Sequence, residues 1–186
     1  MALCDFLLAN DISYDCFKVT IGGAKPDGLI INRDDINLAG VTYDSTHPFE
    51  ITALPLKSGK VAYNIIQSGK TPYTGTQQEL VEGNYQNTFT NTVQFVLLKQ
   101  DHTSASTVFE LLNGSFVVIL QNKQPSSNPT IQVFGLEGGL RASAMVRELY
   151  NDDTLSGWLV TMTEEKATKG SLFIDEILYN TLKGEE

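Results

Sequence analysis

Residues 90–143 read TNTVQFVLLKQDHTSASTVFELLNGSFVVILQNKQPSSNPTIQVFGLEGGLRAS, and this stretch decides the fold. It predicts a strand, a short helix, a second strand, a turn and a third strand with a glycine-rich exit. In the first strand, Val93, Phe95 and Leu97 alternate with polar residues, and this period of two is typical of a β-strand. Val96 adds an apolar side chain on the second face. Strands that bury both faces indicate a sandwich or barrel with something packed on its outside.

The helix in this stretch is predicted to be capped by Thr103 or Ser104 and to end before Gly114. A side-chain oxygen at the first position can accept a hydrogen bond from a free backbone N–H group of the first turn. Val108 and Leu111 belong to an apolar stripe, so one side of the helix can pack on a sheet. Glycine at the far end supplies a left-handed residue with little strain. The pattern therefore predicts about three helical turns between two strands.

Other segments repeat the strand pattern. Residues 61–65 and 158–162 have the same period of two and are rich in β-branched and aromatic side chains. A second helix fits residues 175–182, while Leu172–Ile174 fits the end of a strand equally well. The sequence therefore predicts a single domain, residues 1–186, that is mainly β with one flanking helix, an α+β fold.

The composition is that of a folded protein with an acidic balance. Apolar residues make up 41% and charged residues 19% of the chain, and 186 residues can bury a core without disulfides. The net charge of -9 argues against a protein that grips nucleic-acid phosphates over a broad surface, because such proteins need clustered lysine and arginine. It is compatible with a surface that DNA passes without sticking.

The first ten residues, MALCDFLLAN, are apolar, but they lack a basic leading region and include Asp5, so no secretory signal is expected. The longest apolar runs, such as residues 116–120, are far shorter than the ~20 residues that span a bilayer, so no membrane partner is expected. Without an export signal, Cys4 and Cys16 are expected to be two free thiols in a reducing cytoplasm, and a disulfide between them is the alternative.

Two segments have the composition of loops or arms. Residues 37–56 contain a glycine, two prolines and weak patterning, and the first 56 or so residues are expected to be less regular than the rest. Residues 68–86, SGKTPYTGTQQELVEGNYQ, are rich in Gly, Thr, Gln and Asn and predict a long polar hairpin. Such a hairpin gains stability mainly by pairing with something else, because an isolated one is marginal in water.

Histidine and acidic side chains form no catalytic or metal-binding pattern. His47 and His102 lie in predicted loops, and neither has a second ligand or base at a recognisable spacing. The acidic pairs of the chain are expected to support turns or to face solvent rather than to act as acid and base. These pairs are Asp34-Asp35, Asp152-Asp153 and Glu164-Glu165.

Gly135, Gly138 and Gly139 directly follow a strand, which invites comparison with a loop that binds phosphate. The G-x-x-G-G spacing lacks the Lys and Ser/Thr of a Walker loop, so a tight turn or bulge is expected instead. No serine lies in a G-x-S-x-G motif, and Arg141 and Arg147 are expected to be solvated or paired. We therefore expect no catalytic residue, no cofactor and no metal, with an enzyme of unfamiliar site as the remotest alternative.

The order of these segments resembles tailed-bacteriophage tail-tube-like proteins, including the ring proteins that stack between portal and tail in phages of Bacteroidetes hosts. The resemblance covers about residues 61–174. It is carried by the helix end at residues 111–114, the strand at residues 116–120 and the turn at residues 133–140. It implies a tail-tube-like β-sandwich or barrel flanked by one helix, with a long hairpin that reaches the neighbouring subunit.

The resemblance also implies a function. It is that of a virion structural protein, assembled in the bacterial cytoplasm, that self-associates into a ring or tube of the head–tail connector or tail. Portal or other ring and tail proteins would be its neighbours, and DNA would pass through without specific binding. A channel lined with negative charge would repel phosphates, and the acidic balance of the chain is compatible with this.

Segments can be assigned to these contacts. Residues 68–86, the assembly arm, are expected to contact the next subunit, and residues 37–56 are expected to contact a stacked ring. The candidate interface residues of the arm are Tyr73, Thr76, Gln78, Leu80 and Tyr85. The alternative is a β-sandwich binding module for a carbohydrate or protein ligand, although the aromatic residues mostly occupy alternating, core-like positions rather than a shallow platform.

Overall fold

The computed structural model describes residues 22–69, 71–98, 102–124, 129–147 and 157–184. The predictions made for Cys4, Cys16 and the Asp152-Asp153 pair lie outside the described residues.

Eleven strands and two α-helices are found in the described residues. The strands are β1 (Ala24–Asn32), β2 (Thr42–Tyr43), β3 (Glu50–Ala53), β4 (Tyr63–Ile66), β5 (Gln77–Val81), β6 (Thr88–Leu97), β7 (Phe116–Asn122), β8 (Ile131–Phe134), β9 (Arg141–Arg147), β10 (Trp158–Ala167) and β11 (Leu172–Ile174). The helices are α1 (His102–Asn113) and α2 (Glu176–Lys183), and short 3₁₀ helices cover Arg33–Asp35 and Leu38–Gly40. The prediction of a mainly β, α+β fold is confirmed. The two alternatives for the C-terminal region are both present, because strand β11 is followed directly by helix α2.

The strands form two sheets. The seven-stranded sheet has the order β2-β3-β11-β8-β7-β1-β4, and the four-stranded sheet has the order β5-β6-β10-β9. The pairing of β3 with β11 is parallel, and the other pairings are antiparallel. Among the described strands, β2, β4, β5 and β9 therefore each have a strand neighbour on one side only.

One core cluster fills the space between the two sheets. Val93 of β6 and Val160 of β10 are fully buried there, against Val118 and Leu120 of β7 in the larger sheet. These residues occupy alternate positions of their strands, which is the period of two that the sequence shows. Burying an aliphatic side chain of this size contributes about 1.5–3 kcal/mol relative to leaving it exposed.

A second core cluster covers the opposite face of the seven-stranded sheet. Val117 and Ile119 of β7 belong to it, together with Tyr179 of α2 and with Ile36 and Leu54 from the segment between β1 and β4. All five residues from 116 to 120 are buried, so β7 packs against other structure on both faces. The molecule therefore has three layers, in which the larger sheet is the middle one.

Both helices are followed by a glycine, as predicted for α1, but only the glycine after α2 is left-handed. Asp175 caps α2, since its carboxylate accepts from the Leu178 N–H at 2.7 Å, and Gly184 is left-handed at φ 79°. Helix α1 also ends before Gly114, but this glycine is not in the left-handed region. Instead a Cβ there would lie 2.1 Å from the Phe116 ring, so the requirement for glycine is steric.

The predicted start of α1 was two or three residues too late, since a cap at Thr103 or Ser104 would place the first helical residue at position 104 or 105. The helix begins at His102, so Thr103 and Ser104 fall in its first turn rather than at the capping position. Residue 101, which precedes the helix, lies outside the described residues. Helix ends are the least determined part of a sequence pattern, because several polar residues in a row can each supply the capping oxygen.

Residues 22–56 contain more regular structure than the sequence indicates. Strand β1 is a nine-residue strand in the interior of the larger sheet, and residues 37–56 contribute β2 and β3 to that sheet. Pro26 and Gly28 interrupt the apolar pattern of β1, which hides it. Gly28 is needed for packing, because a Cβ there would lie 2.8 Å from both the Tyr73 hydroxyl and Leu120 Cδ2.

Candidate functional site: open edges of the four-stranded sheet

The predicted hairpin of residues 68–86 is part of the four-stranded sheet. Strand β5 pairs antiparallel with the first half of β6, from Gln77 opposite Thr92 to Val81 opposite Thr88. The second strand of the hairpin is therefore a core strand, and the segment is an edge of the sheet rather than a separate arm. Pairing with β6 supplies the outside support that an isolated polar hairpin lacks.

The outer side of β5 offers backbone groups and apolar side chains to a neighbour. Leu80 is 57% exposed and Val81 is 42% exposed, and Tyr85 in the following loop is fully exposed. An edge strand presents unpaired backbone N–H and C=O groups, and it is a template for pairing with another chain. Leu80 and Tyr85, two of the predicted interface residues, therefore lie on an accessible surface.

Gln78 and Thr76 instead hold this edge to the rest of the subunit. The Gln78 amide donates to Asn91 Oδ1 at 3.0 Å and to the Gly170 carbonyl, and its Oε1 accepts from the Ser171 hydroxyl at 2.6 Å. The Thr76 hydroxyl accepts from the Gln94 N–H at 3.2 Å. Both side chains are half-buried, so they act on the position of β5 more than on a neighbouring subunit.

Tyr73 lies inside the subunit. It is 6% exposed, and its hydroxyl lies 3.0 Å from the carbonyl oxygens of Pro26 and Ile65, to either of which it can donate. Burial raises the pKa of Tyr73 above its ordinary value, so the phenol stays protonated. The residue also has a left-handed φ of 59°, which the surrounding contacts hold. We therefore leave Tyr73 out of the contact surface and assign it to the fold.

Replacing Tyr73 with Phe should lower the free energy of unfolding by about 0.5–1.5 kcal/mol, because one buried hydrogen bond is lost while the ring stays in place. Urea unfolding followed by circular dichroism measures this. Tyr85→Phe is the matched control, since the fully exposed hydroxyl should contribute nothing measurable. Equal midpoints for the two variants would contradict a stabilising role of the buried hydroxyl.

The opposite edge of the same sheet is β9, which has no described strand on its outer side and which helix α1 also contacts. Val146 is 49% exposed on it, and Ser143 and Ala144 are exposed as well. Strand β9 begins with Arg141 and ends with Arg147, whose guanidinium lies 5.7 Å from the centre of the Trp158 ring. The two open edges are thus different from each other, and a contact between them would be head to tail.

The charges of the two edges are of opposite sign. Glu79 on β5 and Glu82 directly after it are exposed, whereas β9 carries Arg141 and Arg147. Complementary charges raise association rates and suppress wrong pairings, and they favour β5 against β9 over a pairing of two identical edges. Each edge also has exposed aliphatic side chains that a neighbour can cover.

On the face of the four-stranded sheet that is turned away from the core, the two central strands are uncharged and mostly polar. Its central strands place Thr92, Gln94, Thr161 and Thr163 between the buried positions, and the Gln94 amide donates to the Thr161 hydroxyl at 3.0 Å. Residues 88–97 and 158–163 contain no charged side chain. The centre of this face therefore offers hydroxyl and amide groups, while the strand register places Glu79 of β5, opposite Thr90, and Arg141 of β9, opposite Thr163, on the same face toward its edges.

The turn at residues 135–139 surrounds a carboxylate from its own chain. Glu164 is 3% exposed, and its Oε2 accepts from the Gly135 N–H at 3.1 Å and from the Asn91 amide at 2.8 Å. Its Oε1 accepts from the Gly138 N–H at 2.5 Å. Since Asn91 lies on β6, Glu164 on β10 and the turn after β8, this group joins the two sheets. The backbone donors that a phosphate loop would use are occupied by Glu164.

The prediction of a tight turn at these glycines is confirmed. Gly135 and Gly139 are left-handed, at φ 85° and 82°, and a Cβ on Gly135 would lie 2.5 Å from the Phe116 carbonyl oxygen. Arg33 closes the other side of the turn, where its guanidinium donates to the Leu136 carbonyl at 3.3 Å and to the Glu137 carbonyl. The role of Glu164 was missed, although its alternation with buried Val160 and Met162 along β10 is a visible signal.

In the described part of the chain, neither histidine belongs to a group of three or more side chains that could hold a metal ion. His47 lies in a loop that Asp44 organises by accepting from the Thr46 hydroxyl, the His47 N–H and the Thr46 N–H. These hydrogen bonds, the Thr46 hydroxyl first, lower the pKa of the Asp44 carboxyl to about 2. His102 is exposed at the start of α1. Asp35 of the predicted acidic pairs bonds to Lys60 at 3.0 Å and supports a turn.

Residues 37–56 were predicted to contact a stacked ring. They contain β2 and β3, which lie at the opposite end of the larger sheet from β4. Leu38, Tyr43 and Phe49 are exposed in this segment. The Lys169 ammonium lies 3.8 Å from the centre of the Tyr43 ring, a cation–π contact. The segment therefore has an exposed apolar surface, and its contact with another ring stays a prediction.

Comparison with protein-family models, with curated proteins and with solved structures gave no match. Within the described ranges, no helix has the length and apolar character to cross a bilayer. The function is therefore inferred from the residues and their geometry.

Proposed function

We propose that this chain is a non-enzymatic structural protein of a phage virion that self-associates into a ring or tube in the head–tail connector or tail. The observation that carries this proposal is the pair of open, dissimilar edges on the four-stranded sheet, β5 and β9. One edge carries acidic side chains and the other carries arginines, and both expose aliphatic residues. A contact between two different edges is heterologous, and repeated heterologous contacts close into a ring when the rotation allows it.

In this proposal the small sheets of successive subunits join edge to edge around a central opening. The face that carries Thr92, Gln94, Thr161 and Thr163 would then be repeated around the wall of that opening. Its central strands contribute hydroxyl and amide groups and no lysine or arginine, although Arg141 of β9 lies on the same face beside Thr163. A wall with so few cations releases few counterions from DNA and so does not bind it tightly. DNA would pass through without specific recognition, and the net charge of -9 supports the same behaviour.

The neighbours above and below a ring would be portal or other ring and tail proteins. The segment 37–56 lies at the β2 edge of the larger sheet and has exposed apolar residues. These residues support a second contact surface, distinct from β5 and β9. Location in the virion is part of this proposal.

Negative-stain microscopy and light scattering on the purified protein test the proposed function. We expect rings or short tubes of several subunits at protein concentrations above the dissociation constant of the contact between β5 and β9. A monomer at all concentrations that binds glycans on an array would contradict the proposal and favour the β-sandwich binding module.

A further inference from the structure

A groove of about 910 Å³ opens between the two sheets on the side of β4. Strand β4, the C-terminal half of β6 and the helix α1 form its walls. Its floor is the edge of the core between the sheets, where four apolar side chains are buried. These are Ile65, Phe95, Leu111 and Phe116. The groove therefore combines an apolar floor with a sheet edge.

Both strands that border the groove lack a neighbour on that side. Among the described strands, β4 pairs with β1 alone, and β5 stops opposite Thr92, so the last residues of β6 pair with β10 on one side and with no strand on the side of the groove. At one position a side chain takes the place of a strand. The Gln67 amide accepts from the Val96 N–H at 2.7 Å and donates to the Val96 carbonyl at 3.0 Å. Gln67 and Thr76 satisfy the N–H groups of Val96 and Gln94 on β6, so the edge left for an incoming strand is β4, where the Gln67 amide also donates to the Ile66 carbonyl at 3.3 Å.

The chemistry that fits this groove is an extended peptide with apolar side chains at alternate positions. Main-chain hydrogen bonds to β4 would supply affinity, and the apolar floor would take every second side chain. A volume of 910 Å³ accommodates several such side chains. Half-exposed Tyr63 on β4 also lines the groove, so its apolar surface extends beyond the floor.

The occupant that the chain itself supplies is residues 1–21, here named the N-terminal segment. Fourteen of its 21 residues are apolar, a much larger share than the 41% of the whole chain. Within it Cys4, Phe6 and Leu8 alternate with Asp5 and Leu7, which gives an apolar face in extended form. An apolar segment of this length gains free energy by covering an apolar surface, and the groove is such a surface.

The geometry of attachment permits this contact within one chain. The segment joins the structure just before β1, and Asp27 of β1 lies opposite Ile66 of β4. The path from residue 22 back to the outer side of β4 is roughly 20 Å long. It runs along a strand for about five residues and crosses the sheet by about two strand spacings. About six extended residues cover that distance, so the first 14 or so residues remain for the groove.

We propose that the N-terminal segment of the same chain docks in this groove as an added strand along β4, with Cys4, Phe6 and Leu8 against its apolar floor. This inference is independent of the proposed function, since it concerns a contact within one subunit. Docking would extend the seven-stranded sheet by one strand and bring β4 into the sheet interior. It would also remove an open edge that otherwise invites the wrong partner.

Cross-linking from the native thiol at position 4 tests the proposal. In a Cys16→Ser background, Tyr63→Cys places a second thiol on β4, on the same face as Ile65. A short bis-maleimide, which tolerates a small offset in register, should join the two thiols within one chain. The matched control is Tyr43→Cys on β2, the end strand at the other side of the same sheet. We expect the position 63 variant to react within the chain at least about tenfold faster, because docking raises the effective concentration of the thiol.

Two outcomes would overturn the proposal. Equal intrachain rates at positions 63 and 43 would mean that the segment does not prefer β4. Predominant cross-links between chains at position 63 would assign the groove to a second copy of the protein instead. Hydrogen exchange adds a measurement that needs no new cysteine. Removing residues 2–15 should speed exchange of the β4 amides by about tenfold or more if the segment protects them, and unchanged exchange would contradict docking.

Discussion

The Glu164→Ala variant should lose about 3 kcal/mol or more of unfolding free energy. The change removes the acceptor for three donors at once: the Gly135 N–H, the Gly138 N–H and the Asn91 amide. Each buried donor left without an acceptor costs about 1–3 kcal/mol. Because these donors come from both sheets, the loss of their shared acceptor also weakens the contact between the two sheets. Urea unfolding at neutral pH, followed by tryptophan fluorescence and circular dichroism, measures the effect.

The neighbouring glutamate supplies the control for charge. Glu165→Ala removes the same charge and the same number of atoms from an exposed position, and it should change the stability by less than about 0.5 kcal/mol. Glu164→Gln should fall between the two alanine variants, since its amide keeps one acceptor oxygen for the turn. A loss of less than about 1 kcal/mol in Glu164→Ala would mean that water replaces the carboxylate and that the turn holds without it.

The position of Glu164 shows which part of the fold a sequence can predict. The alternation of Val160 and Met162 continues to residue 164, so the pattern places this carboxylate on a buried face. The pattern cannot identify its hydrogen-bond donors, because Asn91 lies 73 residues away and the turn donors 26 and 29 residues away. The role of a buried polar group depends on its hydrogen-bond partners, and here these partners are distant in sequence.

The same distinction separates β7 from β1. Five consecutive apolar residues in β7 identify a strand buried on two faces, whatever its neighbours are. Strand β1 is as central in the sheet, yet Pro26 and Gly28 break its pattern, and the need for Gly28 arises from contact with Tyr73 and Leu120. Local periodicity therefore predicted the strands whose neighbours are apolar, and it missed those shaped by close packing between distant segments.

The candidate interface was likewise predicted only in part from the sequence. The composition of residues 68–86 correctly indicated strand and turn, and it indicated that the segment needs a pairing surface. It did not indicate that this surface is β6 of the same subunit. Tyr73 and Leu80 are both large residues in a polar segment, and only the tertiary structure distinguishes the buried hydroxyl of one from the exposed side chain of the other.

The second large effect is expected on assembly. Val81→Lys on β5 and Val146→Lys on β9 should each abolish rings, because a lysine on an edge strand opposes pairing with another strand. Ile177→Lys is the matched control, since Ile177 is 77% exposed on α2, away from both edges. At concentrations too low for assembly, all three variants should keep the thermal stability of the parent protein, as their side chains are exposed. Light scattering gives the number of subunits in each sample.

Mixing the two edge variants distinguishes a head-to-tail contact from a symmetric one. The Val81→Lys chain keeps an intact β9, and the Val146→Lys chain keeps an intact β5, so the mixture can form one productive contact per pair. We therefore expect dimers in the mixture, monomers in each variant alone and rings in the parent protein. If two β5 edges paired symmetrically, Val146→Lys alone would assemble normally and the mixture would gain nothing. Normal assembly of both variants would remove the four-stranded sheet from the contact altogether.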